Sequence, residues 1–257
     1  MKPKHWLQLA WKTNKDWGEE LACDIAKKFM RWIQELQQVK YIYLDRYLHL
    51  DASPYRLHVF CDASSKGYAA VIFVCTESGV KFVQSRARIA PITPTMTINR
   101  LELISCLIGA RLMESTCKSF DTDPEKIYLW ADSTTALAWI NRGNDWSIFV
   151  QNRVRDIKEL TVNAEWRHCP GKQNPADMPS RGCYPLEFIT SSWWGGPNWL
   201  HDENNWPEDK YAFDENAIQS ELRKKTIQAT HTCKEEDLWY LPRESFSTNV
   251  RVLAYIF

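Results

Sequence analysis

The stretch that decides the fold is Leu57–Ser64, with the sequence LHVFCDAS. Its residues 59–61 are the β-branched and apolar types of a buried strand, and the run Gly67–Cys75 after a short polar turn predicts a hairpin. Asp62 breaks this pattern, because a carboxylate in a buried strand is unfavourable unless a partner neutralises it. A bound cation is the simplest such partner, so we expect the rest of the chain to supply more acids.

A second predicted strand ends in an acid. Lys126–Asp132 (KIYLWAD) has the pattern of a buried strand, and Ser133–Thr135 directly after it has the residue types that cap a helix N-terminus. Asp132 is therefore expected at the carboxyl end of a strand. Open α/β sheets place their ligands at that end.

Two further acids are expected on helices. The segment Thr97–Lys118 predicts a helix with Thr97 as its cap, and Glu102 lies in its second turn beside the apolar stripe, so it can point toward the sheet. Asp177 follows Asn174 and Pro175, which are typical of a helix cap and a first helical position. A further amphipathic helix is predicted at 148–160 and a fifth strand at 164–169.

The order of these acids resembles that of the ribonuclease H fold. Asp62, Glu102, Asp132 and Asp177 fall on a strand, a helix, a strand end and a final helix. The motif WRHCPGKQNPADMPSR, which contains Asp177, is similar to the end of that domain in long-terminal-repeat retrotransposons. More narrowly, the motifs DAS, RLEL and WADS around the first three acids resemble the BEL/Pao retroelement polyprotein.

The resemblance implies an α/β fold: a ribonuclease H-like mixed five-stranded sheet flanked by helices, with a helical N-terminal extension and an irregular C-terminal extension. It divides the chain into a helical connection from a reverse transcriptase (1–53), the ribonuclease H-like domain (54–183), and a linker with the truncated start of an integrase-side module (184–257). Apolar residues at helical spacing between 21 and 36 predict an amphipathic helix in the first part, which either is that connection or covers part of the core.

The resemblance also implies the chemistry of the site, which is hydrolysis of RNA in an RNA:DNA hybrid by two Mg²⁺ ions, or Mn²⁺, about 3.5–4 Å apart. Hard cations of this kind prefer carboxylate oxygens to Cys or His ligands. The expected site residues are the metal ligands Asp62 (bridging both ions), Glu102, Asp132 and Asp177, the proton carrier His168, and the substrate contacts Ser64, Ser65, Arg100 and Asn174. His168 can instead be a hydrogen-bonded histidine at a strand end, and Asn174 a helix cap.

Composition limits the partners and the compartment. The 257 residues are 44% apolar with a formal net charge of zero, so nucleic-acid binding must come from a local basic patch. We expect no membrane partner because no run of 18 apolar residues exists, and the eight cysteines without a Cys-x-x-Cys pair indicate a reducing compartment. The resemblance implies the reverse transcriptase and integrase portions of one polyprotein as partners, in a cytoplasmic retroelement particle or in the nucleus.

Two other classes of function stay open. Part of the resembled region carries a peptidase label, and DAS (62–64) and DST (132–134) are superficially similar to the Asp-Thr/Ser-Gly turn of aspartic peptidases, although both lack the glycine. The chain can also be a catalytically silent remnant that serves as a binding module. A zinc site at His201, His231 and Cys233 is disfavoured, because no second Cys pair accompanies them.

Overall fold

A mixed five-stranded sheet forms the centre of the computed structural model, as predicted. The structure describes residues 1–12, 18–44, 47–48, 50, 54–92, 96–208 and 211–223. The strands are β1 (Arg56–Ala63), β2 (Gly67–Thr76), β3 (Gly79–Ile89), β4 (Lys126–Ala131) and β5 (Ala164–His168). They lie in the order β3-β2-β1-β4-β5, with β1, β2 and β3 antiparallel and β1, β4 and β5 parallel. This arrangement puts β1, which carries Asp62, at the centre.

The predicted helices form close to their expected bounds. The helices are α1 (Lys2–Lys12), α2 (Cys23–Leu36), α3 (Ile98–Cys117), α4 (Thr134–Asn141), α5 (Ile148–Leu160), α6 (Asp177–Arg181), α7 (Pro185–Thr190) and α8 (Glu215–Gln219). The side chains of Thr97 and Ser133 accept hydrogen bonds from the first turns of α3 and α4, which confirms both expected caps. Because each cap residue is itself extended, it fixes where its helix begins.

Helices α3, α4 and α5 cover one face of the sheet with aliphatic side chains. The core there includes Leu57, Val59 and Leu129 from the strands and Leu103 and Ile157 from the helices, all fully buried. Helix α3 approaches β1 so closely that a Cβ at Gly109 would lie 2.3 Å from the Cys61 sulfur. The close approach holds α3, and with it Glu102, directly over the central strand.

The opposite face is aromatic, and residues after 183 cover it. Phe60, Phe73 and Trp130 of the sheet are fully buried against tryptophans from that later segment, including Trp193 and Trp206. The compact unit runs from Met1 to Arg223, past the expected domain boundary at residue 183. The segment 184–223 has no regular hydrophobic period because it packs through single large side chains in short helical turns.

The N-terminal extension consists of two helices where one amphipathic helix was predicted. Helix α1 packs on the domain through Trp6, which is buried, and through a 2.7 Å hydrogen bond from Gln8 Nε2 to the Ala90 carbonyl. Helix α2 contacts α1 and α7. Helix α1 thus packs on the domain, whereas α2, the predicted amphipathic helix, has no buried residue, so both interpretations of its sequence stay open.

Some sequence predictions lie outside the described residues, among them His231 and Cys233 of the disfavoured zinc site and the part of the expected linker and integrase-side module after residue 223. His201 ends a short 3-10 helix (Asn198–His201) on the surface. Among the helices of the described ranges, none combines the length and the apolar character that a membrane crossing requires.

Candidate metal centre

The register of two parallel strands brings Asp62 and Asp132 together. Strands β1 and β4 are parallel and pair with Cys61 opposite Ala131. The residues that follow, Asp62 and Asp132, therefore lie at the same carboxyl edge of the sheet. Asp62 is only 2% exposed, since β1 is central and covered on both faces. Pairing of parallel strands therefore places the two carboxylates side by side, as the strand-end argument predicted.

Glu102 reaches the same edge from above the sheet. It lies on the buried side of α3, which packs across β1 and β2, and it is 7% exposed. Its carboxylate accepts a hydrogen bond from the Ala63 backbone amide at the end of β1. One oxygen each from Glu102, Asp62 and Asp132 lies within 4.8 Å of the others. Asp62, Glu102 and Asp132 thus form one cluster, which we call the acid triad, although forty and thirty positions separate them along the sequence.

Burial and mutual repulsion disfavour the charged forms of the triad. Burial, followed by the charge of Asp132, raises the pKa of Asp62 from 3.8 to about 7. Burial and the charges of Asp132 and Asp62 raise the pKa of Glu102 from 4.5 to about 10, and burial also raises the pKa of Asp132. Raised carboxyl pKa values show that protein groups do not neutralise the triad.

Two oxygens of the triad also lack hydrogen-bond partners. Glu102 Oε2 and Asp132 Oδ1 are buried and accept no hydrogen bond from any described residue. An unpaired buried acceptor is rare in folded proteins unless a ligand or ion satisfies it. Both the free oxygens and the uncompensated charge fit a hard divalent cation, for which Asp62, Glu102 and Asp132 would be the ligands.

Asp177 lies near the triad but has another partner. It begins α6, and its carboxylate accepts a hydrogen bond from the Arg181 guanidinium one turn later. Its negative charge contributes to the raised pKa of Asp62, after burial and the charge of Asp132. The structure thus brings three of the four predicted ligands into one group and leaves Asp177 beside it in an ion pair.

His168 ends β5 next to the triad. The strand register pairs His168 with Ala131, the residue before Asp132. Its ring packs against Tyr211 at 4.6 Å between centroids, and its charge opposes the effect of burial on the pKa of Asp132. The position agrees with both interpretations of this residue, the proton carrier and the strand-end histidine.

The two predicted serine contacts differ in exposure. Ser64 is buried, and its hydroxyl donates to the Ser180 carbonyl at 3.0 Å and accepts from the Lys66 amide at 3.2 Å. These bonds close the β1–β2 turn onto α6. Ser65 is exposed at that turn and open to a substrate. Ser64 therefore serves the turn, and of the two only Ser65 presents its side chain to solvent.

The other two predicted substrate contacts, Arg100 and Asn174, form hydrogen bonds within the protein. The Arg100 guanidinium donates two hydrogen bonds to Glu221, at 2.6 and 3.1 Å, and lies over the Phe149 ring. Asn174 is 4% exposed; its amide donates to the Cys61 carbonyl at 2.8 Å and accepts from the Ala176 amide. Asn174 thus ends the 3-10 turn before α6, whereas the helix itself begins at Asp177 with Ala176 as its N-cap, so the expected cap at Asn174 and the expected first helical position at Pro175 are wrong.

Two residues around the triad were not predicted from the sequence. The Ser180 hydroxyl donates a hydrogen bond to Asp62 Oδ2 and holds that carboxylate. Gly171 lies against Asp132, since a Cβ there would be 2.9 Å from Asp132 Oδ2. Both belong to the closing motif at 166–181, so its unusual density of small and polar residues was the available signal.

Solved ribonuclease H structures share part of this architecture. Ribonuclease H1 from Halobacterium salinarum NRC-1 is 18% identical over 47% of this chain and 90% of its own, with a TM-score of 0.37. LC11-RNase H1, solved with an RNA/DNA hybrid, is 10% identical over 52% and 99%, with a TM-score of 0.38. The N-terminal RNase H domain of a Mycobacterium tuberculosis protein is 10% identical over 51% and 92%, with a TM-score of 0.37.

Comparison by sequence identifies the family. No curated protein matches the chain. Residues 1–133, just over half of its length and including β1 to β4 and all three acids of the triad, match the family described as the Pao retrotransposon-like RNaseH-like domain. This agrees with the resemblance of the motifs around those acids. The chain belongs to the family of Pao retrotransposon-like RNaseH-like domains.

Proposed function

We propose that this chain is a divalent-metal-dependent nuclease that cleaves the RNA strand of RNA:DNA hybrids during reverse transcription. The observation that carries the proposal is the acid triad, two buried carboxylates and one half-buried carboxylate that leave two buried oxygens without hydrogen-bond partners among the described residues. Membership of the RNaseH-like family supports the same reading. The expected context, a polyprotein with reverse transcriptase and integrase portions in a retroelement particle, is part of this proposal.

The residues of the chain have distinct tasks in this proposal. Asp62, Glu102 and Asp132 hold the first cation, and Asp177 completes the second site once its ion pair with Arg181 opens. Bound Mg²⁺ or Mn²⁺ would activate the attacking water and neutralise charge on the scissile phosphate and leaving oxygen.

The supporting residues orient the ligands and move the proton. Ser180 keeps the Asp62 carboxylate in one orientation through its hydrogen bond. His168, beside Asp132, carries a proton away from or toward the leaving group. Selection of RNA over DNA requires contacts to 2′-hydroxyl groups, for which the exposed Ser65 at the β1–β2 turn is suited.

The peptidase alternative has less support. Aspartic peptidases are all-β proteins, whereas this chain has a mixed sheet with helices on one face. The raised pKa of Asp62 also agrees with a shared-proton pair of acids, but Glu102 lies within the same group and a peptidase pair has no such third acid. We therefore retain the nuclease.

The test is cleavage of a labelled hybrid by the purified chain with Mg²⁺ or Mn²⁺. We expect cutting of the RNA strand only, and loss of it to background in Asp62→Asn and Asp132→Asn, because each removes a ligand without changing side-chain volume. Asp121→Asn is the matched control, since this acid is exposed and remote from the triad. Calorimetric titration with each cation separates an inactive chain from one that binds no metal. Cleavage that survives in Asp62→Asn, or that needs no cation, would refute the proposal.

A further inference from the structure

A small cavity with a basic lining lies beside the acid triad. It is about 200 Å³ in volume and is enclosed by α1, α2, the β1–β2 turn and the end of α6. Four cationic side chains line it, Lys2, Lys28, Lys66 and Arg181, and no acidic side chain of the described residues does. Since the whole chain has no net charge, this lining is a strong local excess of positive charge.

The interactions around the cavity neutralise only part of this positive charge. Lys2 Nζ lies 3.9 Å from the centre of the Tyr184 ring, which is not a neutralising contact. Lys28 pairs with Asp24 at 3.3 Å, but both side chains are more than half exposed, and such surface pairs are weak. Arg181 pairs with Asp177. Lys66 is exposed at the turn. An anion in the cavity would therefore meet several cations.

A buried nitrogen in the lining also points to a ligand. His5 Nδ1 is buried and has no hydrogen-bond partner among the described residues. The packing of α1 holds this residue in place, because Met1 and Lys2 lie against Gly67 and Gly182 so closely that a Cβ at either glycine would overlap them. An anion with several acceptor oxygens can satisfy the His5 nitrogen and the surrounding ammonium groups at once.

The cavity and the triad share two structural elements. Arg181, in the cavity wall, follows Ser180, whose hydroxyl donates to Asp62. Lys66, on another wall, belongs to the turn that Ser64 ties to Ser180. A strand that reaches the triad can thus also reach the cavity. Its volume is below the roughly 300–1,000 Å³ of typical small-molecule sites, which suits one phosphate group and excludes a whole nucleotide.

We propose that this cavity binds one backbone phosphate of the nucleic-acid substrate and so positions the strand at the acid triad. The inference rests on the proposed function for the identity of the strand. It assigns to α1 and α2 a part of the substrate-binding surface, and it supplies the local basic patch that the zero net charge of the chain requires for nucleic-acid binding.

The test measures binding alone, with the full chain and a labelled RNA:DNA hybrid in EDTA at several salt concentrations. We expect Lys28→Gln/Lys66→Gln to weaken binding several-fold and to lower the slope of log K against log salt by about one. Lys126→Gln/Lys158→Gln is the matched control, because it removes the same charge from exposed positions outside the cavity. The control should leave the slope nearly unchanged.

The outcomes separate this inference from the nuclease. Equal effects of the two double variants, or no binding by the unsubstituted chain, would overturn the phosphate site whatever the cleavage assay shows. Binding that depends on Lys28 and Lys66 in a chain that cuts nothing would support the site and refute the nuclease. If inorganic phosphate shifts amide resonances of the cavity while hybrid binding ignores the substitutions, the cavity takes free phosphate and the assignment to a strand is wrong.

Discussion

Glu102 and Glu221 have the same exposed fraction and opposite surroundings. Each is 7% exposed. Glu221 accepts two hydrogen bonds from Arg100 and one from the Ser147 hydroxyl, and these partners lower its pKa against the effect of burial. Glu102 faces two other acids instead, and burial with their charges raises its pKa to about 10. An equally low exposed fraction thus accompanies a neutralised acid in one region and, deeper in the protein, an uncompensated acid in the other.

The difference shows how to separate a structural acid from a ligand. A buried carboxylate that the chain neutralises itself is compatible with a stable fold, because the ion pair and its hydrogen bonds offset the cost of desolvation, and loss of one partner is destabilising. A buried carboxylate among other carboxylates destabilises the fold unless something from outside neutralises it. The acid triad, with Asp62 and Asp132 at the carboxyl ends of β1 and β4 and Glu102 on α3, belongs to the second kind.

The largest effect on the comparison of Glu102 with Glu221 is expected from truncation of the chain after residue 183. The shorter chain loses Glu221, leaving Arg100 unpaired, and loses the tryptophans that cover Phe60 and Trp130. Burial of a large apolar side chain contributes about 2 kcal/mol, so losing several removes an amount close to the total stability of a domain. We expect residues 1–183 to show no cooperative unfolding and residues 1–223 to retain it, by circular dichroism during heating. Cooperative unfolding of residues 1–183 would show that the expected boundary was sufficient.

The pH dependence of stability gives a second test of the contrast. Without metal the folded chain keeps a proton on Glu102 up to about pH 10, whereas the unfolded chain releases it near 4.5. The protonated Glu102 thus favours the folded chain at low pH. This stabilisation is lost as the pH rises from the pKa of Glu102 in the unfolded chain toward its pKa in the folded chain. We expect the free energy of unfolding to fall by about 2 kcal/mol between about pH 7 and about pH 8.5 in the metal-free chain.

Two controls sharpen the pH test. Glu102→Gln, which cannot ionise, should unfold with nearly the same free energy across this range. Added Mg²⁺ should restore stability to the unsubstituted chain above pH 7, because it binds the ionised triad of the folded state only. His58, buried with its pKa lowered to about 3, affects stability only below about pH 6.5, and Asp62, with its pKa at about 7, adds a smaller fall at the lower end of this window. If the free energy of unfolding of Glu102→Gln fell with pH as steeply as that of the unsubstituted chain, the assignment of the pH dependence to Glu102 would be wrong.

The last test neutralises each glutamate at pH 7 by the same isosteric change, and the two variants should shift stability in opposite directions. Glu221→Gln should destabilise the chain by about 1.5 kcal/mol, because Arg100 then loses its charged partner in a partly buried site. Glu102→Gln in metal-free solution should instead raise stability, because release of the Glu102 proton favours unfolding of the unsubstituted chain at pH 7 and the variant has no such proton to release. Chemical denaturation measures both, and similar losses in the two variants would remove the distinction between them.

Local patterns were enough to predict the elements of the site. Helix α5 has the bounds that its hydrophobic period predicts, Ile148–Leu160. The caps Thr97 and Ser133 were predicted for the same reason, since a cap depends on neighbours within a few residues. The order of Asp62, Glu102 and Asp132 on these elements, together with the strand-end argument, was sufficient to predict that they converge.

Such local patterns could not predict contacts between residues that are distant in sequence. Nothing in the residues near Arg100 signals Glu221, and the Trp-rich segment that covers the aromatic face has no period to predict its packing. For the same reason the ion pair of Arg100, a predicted substrate contact, with Glu221 was not predicted. The separation of Asp177 from the triad likewise depends on Arg181 and on where α6 begins.

The amino-acid sequence by itself determined the strands, the helices, their caps and the family of this protein, because hydrophobic period, capping chemistry and motif order act over short distances along the chain. Only the tertiary structure decided which charges are neutralised, which acids stay unpaired and where the basic cavity opens. These properties depend on burial and on contacts between residues more than a hundred positions apart, such as Asp62 with Ser180 and Arg100 with Glu221.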